Sequence, residues 1–285
     1  MATLLIQFFN LIKALFRLAR FWNLIILGLA QYCAAYFLIS NQTLQDWRLF
    51  LLALSTMMIA AAGYMINDYY DIKIDLINKP ERVVIGKSIT RRYALFFHTA
   101  LSVSGVGIGL LLSWQIAVIN FLSAFLLWLY SNNLKRLPFI GNFSIGLLTA
   151  ASIAVVNLLY PPFNSYILVY ALFAMVMTLV REIIKDMEDS KGDNTFGCKT
   201  LPIVWGIRKT KTLLYALLLL FSILVLLVNQ SYLGLPIYYF IFFLFAPLGY
   251  LLARLIRADT IRDFARLSSL CKLILVLGIV SMALV

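Results

Sequence analysis

Charged residues are scarce in this sequence, and so are the side chains that most often form disulfides or bind transition metals. Only 13% of the 285 residues are charged, whereas a soluble domain carries about a quarter. The chain has one histidine, His98, and three scattered cysteines, Cys33, Cys198 and Cys271. This composition excludes a soluble globule and a nucleic-acid-binding protein despite the net charge of +12. It also disfavours a disulfide framework, a zinc site and a histidine-dependent catalytic triad.

Hydrophobic residues make up 63% of the chain and occur in long blocks. The longest blocks exceed the roughly 18 residues that indicate a membrane-spanning helix. We therefore predict an all-α polytopic membrane protein with one transmembrane domain over residues 21–285, composed of two halves at about 21–140 and 141–285. The predicted spans are 21–40, 47–67, 92–112, 115–131, 141–160, 164–184, 210–229, 233–252 and 267–285.

The first 20 residues form a separate segment in which basic and apolar residues alternate with helical spacing. Lys13, Arg17 and Arg20 recur at steps of three and four residues, and apolar residues fill the other positions. This pattern predicts an amphipathic helix over residues 1–20 that lies on the membrane surface.

The basic residues predict the orientation of the chain in the membrane. The N-terminal segment and the loops after spans two, four, six and eight, with the adjoining ends of the spans, together hold 22 of the 24 lysines and arginines. Cytoplasmic loops carry such an excess. We therefore predict that the N-terminus and these loops face the cytoplasm, in the inner or plasma membrane of a prokaryote. Most of the positive charge is explained by this topology.

The acidic residues are concentrated in two segments, one after span two and one after span six. Each segment has three aspartates at the same spacing, Asp68, Asp71 and Asp75 in the first and Asp186, Asp189 and Asp193 in the second. In an α-helix, offsets of three and seven residues place such side chains within about 60° of one another. Like charges on one face repel. A Mg²⁺ ion would relieve that repulsion, because it binds one or two carboxylates and completes its shell with phosphate oxygens.

Cationic side chains suited to phosphate accompany both aspartate segments. Arginine offers a planar fork for phosphate oxygens, and lysine offers a point charge. Two such segments facing each other would hold a diphosphate between metal ions. The candidate substrate-binding residues are Lys79, Arg82, Lys135, Arg136, Arg181 and Lys185.

Several motifs resemble those of one known family. The first aspartate segment reads N-D-Y-Y-D-I-K-I-D with N-K-P-E-R after it, the second reads R-E-I-I-K-D-M-E-D-S-K-G-D, and Y-S-N-N-L-K-R and K-T-L-P-I follow the same pattern. Together they resemble the UbiA superfamily of intramembrane prenyltransferases over essentially the whole chain. The resemblance implies nine helices around a central cavity, Mg²⁺ as cofactor, an isoprenyl diphosphate as donor and a lipid-soluble acceptor.

The resemblance also implies a role for individual residues. Asp68, Asp71 and Asp75 would bind one Mg²⁺ and Asp186, Asp189 and Asp193 another, while Asn67 orients the first motif. Arg82, Lys135 and Arg181 would hold the departing diphosphate. The ring of Tyr130 is a candidate for stabilising the allylic cation.

The sequence does not decide the acceptor, and it allows two other classes of function. The motifs are most similar to the branch that adds a geranylgeranyl chain to geranylgeranylglyceryl phosphate. Prenylation of an aromatic or quinone-precursor acceptor, of the homogentisate or chlorophyll-synthase type, is the alternative. A cation-coupled secondary transporter and a structural or lipid-binding membrane protein are further alternatives. The oligomeric state does not follow from the sequence.

Overall fold

A computed structural model describes residues 12–230 and 236–285 and, within them, every side chain except that of Arg82. In these ranges nine helices are long and apolar enough to cross a membrane. Their number and order confirm the prediction of an all-α membrane protein. In chain order they are α1 (Phe21–Leu38), α2 (Trp47–Asn78), α3 (Arg91–Leu112), α4 (Trp114–Asn132), α5 (Ile140–Leu159), α6 (Ser165–Thr195), α7 (Leu201–Val228), α8 (Ile237–Ile256) and α9 (Ile261–Leu284).

The two longest helices extend well beyond the spans predicted from hydropathy. α2 has 32 residues and α6 has 31, so each is about 46–48 Å long against a hydrocarbon core of about 30 Å. Hydropathy falls where the charged residues begin, but the backbone hydrogen bonds of the helix continue. The segments predicted as loops over 68–91 and 185–209 are therefore largely helical, and the connections are only 79–90 and 196–200.

One compact unit comprises Met1–Tyr32 and Leu44–Leu134. In it α2, α3 and α4 pack against one another. Gly109 of α3 permits a close approach to α4, because a Cβ there would lie 3.3 Å from the Cα of Ala117. The Asn120 amide on α4 donates to the carbonyl of Gly105 at 3.0 Å. Small residues and interhelical hydrogen bonds are what hold helices together in lipid.

The described part of the N-terminal segment packs against the protein. Residues 12–18 are helical, and Ala14 and Leu18 are buried in a cluster with Met65 of α2 and with Val84 and Ile85 of the following connection. The predicted position of this helix on the membrane surface stays a prediction, and the packing shows that its apolar face contacts the connection after α2. Residues 1–11 lie outside the described part of the chain.

The second compact unit comprises Cys33–Thr43 and Lys135–Val285. α6 lies at its centre and packs against α5, α7 and α9. Gly146 allows α5 to approach α6, because a Cβ there would lie 2.9 Å from the carbonyl oxygen of Met175. The core residues include Met177, Ile183, Leu214, Phe221, Leu251 and Ile274.

α7 begins nine residues earlier than predicted. The helix starts at Leu201 and bends at Gly206, whose φ of 77° lies in the left-handed region that glycine tolerates. The basic residues that follow the bend lower the hydropathy of this stretch, and so the prediction placed the start at residue 210. One of them, Lys211, is only 8% exposed and forms an ion pair with Asp259 at 3.1 Å.

Candidate active site

The first aspartate motif occupies the polar end of α2. Asp68 lies 21 residues after Trp47, the first residue of the helix, which is about 32 Å along the helix axis. This distance matches the thickness of the hydrocarbon core. Asp71 and Asp75 belong to the same helix, so the predicted helical spacing of the three carboxylates is present in the structure.

Two carboxylates of this motif have defined partners. The guanidinium of Arg20 donates to Oδ1 of Asp68 at 2.9 Å and lies 4.7 Å from the ring centroid of Tyr64. The side-chain amide of Asn67 donates to Oδ2 of Asp71 at 2.9 Å. This bond fixes the direction of the Asp71 carboxylate, and the role of Asn67 in orienting the motif stays a prediction. The guanidinium of Arg20 thus places a positive charge next to the carboxylate of Asp68.

One backbone hydrogen bond and two bonds from cationic side chains hold the connection after α2. The backbone N–H of Lys79 closes the helix by donating to the carbonyl of Asp75 at 2.8 Å. Lys87 donates to the carbonyl of Pro80 at 2.9 Å, and Arg17 donates to the carbonyl of Glu81. These bonds fix the connection that carries the predicted substrate-binding residues Lys79 and Arg82. The side chain of Arg82 lies outside the described atoms, so its predicted role stays a prediction.

The second motif occupies the same place on its own helix. Asp186 lies 21 residues after Ser165, the first residue of α6, which is again about 32 Å from the helix start. Its Oδ2 accepts a hydrogen bond from the side-chain amide of Asn142 at 2.8 Å. Asn142 is the third residue of α5 and is 6% exposed. Each motif therefore has one carboxylate that accepts a bond from an asparagine amide.

A buried glutamate organises the two cations of the second motif. Glu182 is 7% exposed and accepts from Nη1 of Arg181 at 2.6 Å. The ammonium of Lys185 lies 3.9 Å from its other carboxylate oxygen. Arg181 and Lys185 are thus brought together on α6 by their common partner Glu182. Their predicted contact with diphosphate stays a prediction.

A short turn beside the second motif carries the remaining predicted cations. Leu134–Arg136 form a single 3₁₀ turn, and the carbonyl of Arg136 accepts from the backbone N–H of Lys199 at 2.8 Å. This bond joins the turn to the segment that follows Asp193. Lys135 is half-buried, whereas the side chain of Arg136 is exposed. Tyr130 lies two residues before the end of α4 and is half-buried, and its predicted role is not tested by this arrangement.

The described residues contain no preformed metal cage. In residues 12–230 and 236–285, no three Asp, Glu, His or Cys side chains are close enough together to hold a metal ion. Mg²⁺ does not need such a cage, because it is bound by one or two carboxylates, water and substrate phosphates. The amide-oriented carboxylates of Asp71 and Asp186 fit this kind of site. Three ligands from each motif stay a prediction.

Three residues of the site were missed by sequence reasoning. Asn142 is an amide inside an apolar span, which is a signal for a buried polar role. Glu182 stands next to Arg181 and three residues before Lys185, a spacing that predicts ion pairing on a helix. Arg20 gives no such signal, because 48 residues separate it from Asp68.

Two long membrane helices thus carry matching aspartate motifs at their polar ends. The chain belongs to the UbiA prenyltransferase family, whose profile matches residues 28–276. Family membership decides between the enzyme and the transporter in favour of the enzyme. The protein is accordingly an integral membrane transferase.

The chain is similar to named relatives over nearly its whole length. It is 32% identical over 273 residues to the digeranylgeranylglyceryl phosphate synthase of Saccharolobus solfataricus, covering 95% of each chain. A solved structure of a digeranylgeranylglyceryl phosphate synthase is 27% identical, with a TM-score of 0.72 over 96% of this chain and 99% of that one. A UbiA homolog from Archaeoglobus fulgidus bound to DMAPP and Mg²⁺ is 16% identical and shares the fold, with a TM-score of 0.60 over 95% and 99% of the two chains.

Proposed function

We propose that this enzyme transfers a geranylgeranyl group from its diphosphate to geranylgeranylglyceryl phosphate. The observation that carries the proposal is the 32% identity to a digeranylgeranylglyceryl phosphate synthase over 95% of both chains. The similarity to a solved synthase structure over 99% of that chain supports it. An aromatic or quinone-precursor acceptor is the alternative.

The carboxylates of the two motifs are the proposed Mg²⁺ ligands. Asp68 and Asp71 would supply oxygens from the first motif and Asp186 from the second, with the remaining aspartates as further ligands. The presence of Mg²⁺ and DMAPP in the Archaeoglobus fulgidus homolog supports a divalent cation in this fold. When bound, Mg²⁺ supplies positive charge that stabilises the departing diphosphate.

The asparagines and the cations of the chain have separate roles in this proposal. The amides of Asn67 and Asn142 hold one carboxylate each in a fixed direction, which reduces the entropy lost when the cation binds. Arg181 and Lys185, positioned by Glu182, would attract the diphosphate. Lys135 and Arg136, on the turn fixed by Lys199, are suited to the phosphate of the acceptor.

The site faces the cytoplasm in this proposal. In the predicted topology, the N-terminal segment and the polar ends of α2 and α6 share the side that holds 22 of the 24 lysines and arginines, a distribution typical of the cytoplasmic side. Donor and acceptor would reach the site from this side and from the membrane, and the apolar spans would keep water away from the allylic cation.

The direct test is the choice of acceptor by the purified full-length enzyme. The protein is incubated in detergent micelles with Mg²⁺ and geranylgeranyl diphosphate, and with geranylgeranylglyceryl phosphate or homogentisate in equal amounts. Mass spectrometry of the lipid extract identifies the product. The control is Asp186→Asn, which keeps the shape of the side chain and removes its charge.

The expected result is a doubly geranylgeranylated glyceryl phosphate and diphosphate release that requires Mg²⁺. A prenylated homogentisate without the glyceryl product would contradict the acceptor and leave the transferase class intact. Equal product formation by the Asp186→Asn control would contradict the role of the second motif.

A further inference from the structure

A cavity of about 340 Å³ opens in the second unit where α8 is followed by α9. Its lining includes three arginines, Arg254, Arg257 and Arg266, and the less polar residues Tyr250 and Leu270. The proposed prenyl transfer uses none of these residues. The proposed prenyl transfer therefore does not account for this cavity.

The cavity has an excess of positive charge. Arg254 lies in the last turn of α8, Arg257 follows that helix directly, and Arg266 lies in the second turn of α9. In the ranges 12–230 and 236–285, no hydrogen bond or salt bridge engages the three guanidinium groups, and the charge of Arg266 also acts on the nearby Asp263 carboxyl. The one carboxylate in the lining, that of Asp263, accepts bonds from the N–H and hydroxyl of Thr260 at 3.2 and 2.7 Å. Asp263 is thus engaged in capping α9.

The apolar part of the lining lies deeper in the spans than the arginines. Tyr250 precedes Arg254 by four residues on α8, and Leu270 follows Arg266 by four residues on α9. A separation of four residues keeps side chains on one face and moves them about 6 Å along the axis. The cavity therefore has a cationic mouth at the helix ends and an apolar wall one turn further into the membrane.

This arrangement matches an amphiphile that carries phosphate. Arginine binds phosphate oxygens through charge-assisted hydrogen bonds, and basic pockets between membrane helices are suited to anionic lipid headgroups. A free phosphate ion would use the arginines but not the apolar wall. The enrichment of lysine and arginine in cytoplasmic loops explains why this charge is positive. It does not explain why three arginines surround one cavity.

We propose that this cavity binds the phosphate headgroup of an anionic membrane lipid. Arg254, Arg257 and Arg266 hold the phosphate, and the first part of the hydrocarbon chain lies along Tyr250 and Leu270. The site is separate from the aspartate motifs in sequence and chemistry, and the proposal does not depend on which acceptor the enzyme prenylates.

The test measures lipid binding without turnover. The full-length protein in neutral detergent is titrated with dioleoylphosphatidylglycerol, and retained lipid is counted by native mass spectrometry. Dioleoylphosphatidylcholine and inorganic phosphate serve as the other two probes. Arg254→Gln and Arg266→Gln should each weaken binding of the anionic lipid about tenfold or more, the effect of losing one charge-assisted bond. Arg266→Lys should retain most of the binding.

The matched control is Arg262→Gln. Arg262 is exposed on the same turn of α9 as Asp263 but does not line the cavity, and its loss changes the net charge equally. It should leave the affinity within about twofold. An equal loss in Arg262→Gln would show unspecific attraction and overturn the proposal. So would binding of the phosphatidylcholine as tight as that of the phosphatidylglycerol, or displacement of the lipid by equimolar inorganic phosphate.

Discussion

The hydrogen bond between Asn142 and Asp186 allows a quantitative test of the second motif. The amide of Asn142 donates to Oδ2 of Asp186 at 2.8 Å, and the asparagine is almost fully buried. Asn142→Ala removes this donor and leaves the backbone of α5 unchanged. A hydrogen bond to a charged group contributes about 1.5–3 kcal/mol. If that energy orients the carboxylate for Mg²⁺, its loss lowers the affinity for the cation by about 10- to 100-fold.

The assay is prenyl transfer at fixed, saturating substrates over a range of Mg²⁺ concentrations. We expect the Mg²⁺ concentration for half-maximal activity to rise by about 10- to 100-fold in Asn142→Ala. The maximal rate should recover at high Mg²⁺, because the carboxylate itself is still present. Asp186→Asn, in contrast, should not recover.

The matched control is Asn157→Ala on the same helix. Asn157 is also buried, and its side chain exchanges hydrogen bonds of 3.1 and 2.9 Å with the backbone of Asn164. Its removal should lower thermal stability without moving the Mg²⁺ dependence. The reasoning is refuted if Asn142→Ala has the wild-type Mg²⁺ dependence, or if its activity is lost and high Mg²⁺ does not restore it.

Three further predictions concern charges around the two motifs, and a fourth concerns their topology. Asp68→Asn should abolish turnover while membrane insertion and thermal stability are retained, and near-normal turnover at high Mg²⁺ would contradict the role of the first motif. Arg20→Gln removes a cation that competes with Mg²⁺ for Asp68. Half-maximal activity should then need up to about fivefold less Mg²⁺, which corresponds to the free energy of a partly exposed ion pair. A requirement for more Mg²⁺ would contradict the competition. Lys135→Ala should raise the KM of geranylgeranylglyceryl phosphate about tenfold, with a smaller effect on that of the diphosphate, and the reverse order would assign Lys135 to the donor. In a cysteine-free background, Ser88→Cys and Asn194→Cys should both react with an impermeant maleimide only when the cytoplasmic face is open, and labelling from opposite sides would exclude a common site.

The sequence by itself determined the class of fold and the two carboxylate motifs. Nine apolar blocks predict nine spans, because a helix must be about 20 residues long and apolar to cross the hydrocarbon core. The spacing of Asp68, Asp71 and Asp75, repeated at Asp186, predicts carboxylates on one face, because the helical repeat is a property of the backbone. Both features depend on local sequence alone, and both are present in the structure.

Helix ends and the partners of the motifs were decided by tertiary structure. α2 and α6 continue through their charged segments. Hydropathy does not predict this, because it reports how well side chains fit the hydrocarbon core and not whether the backbone hydrogen bonds of the helix continue. Arg20 meets Asp68 across 48 residues and Asn142 meets Asp186 across 44. Such contacts depend on how segments far apart in the sequence pack together, so no local pattern predicts them.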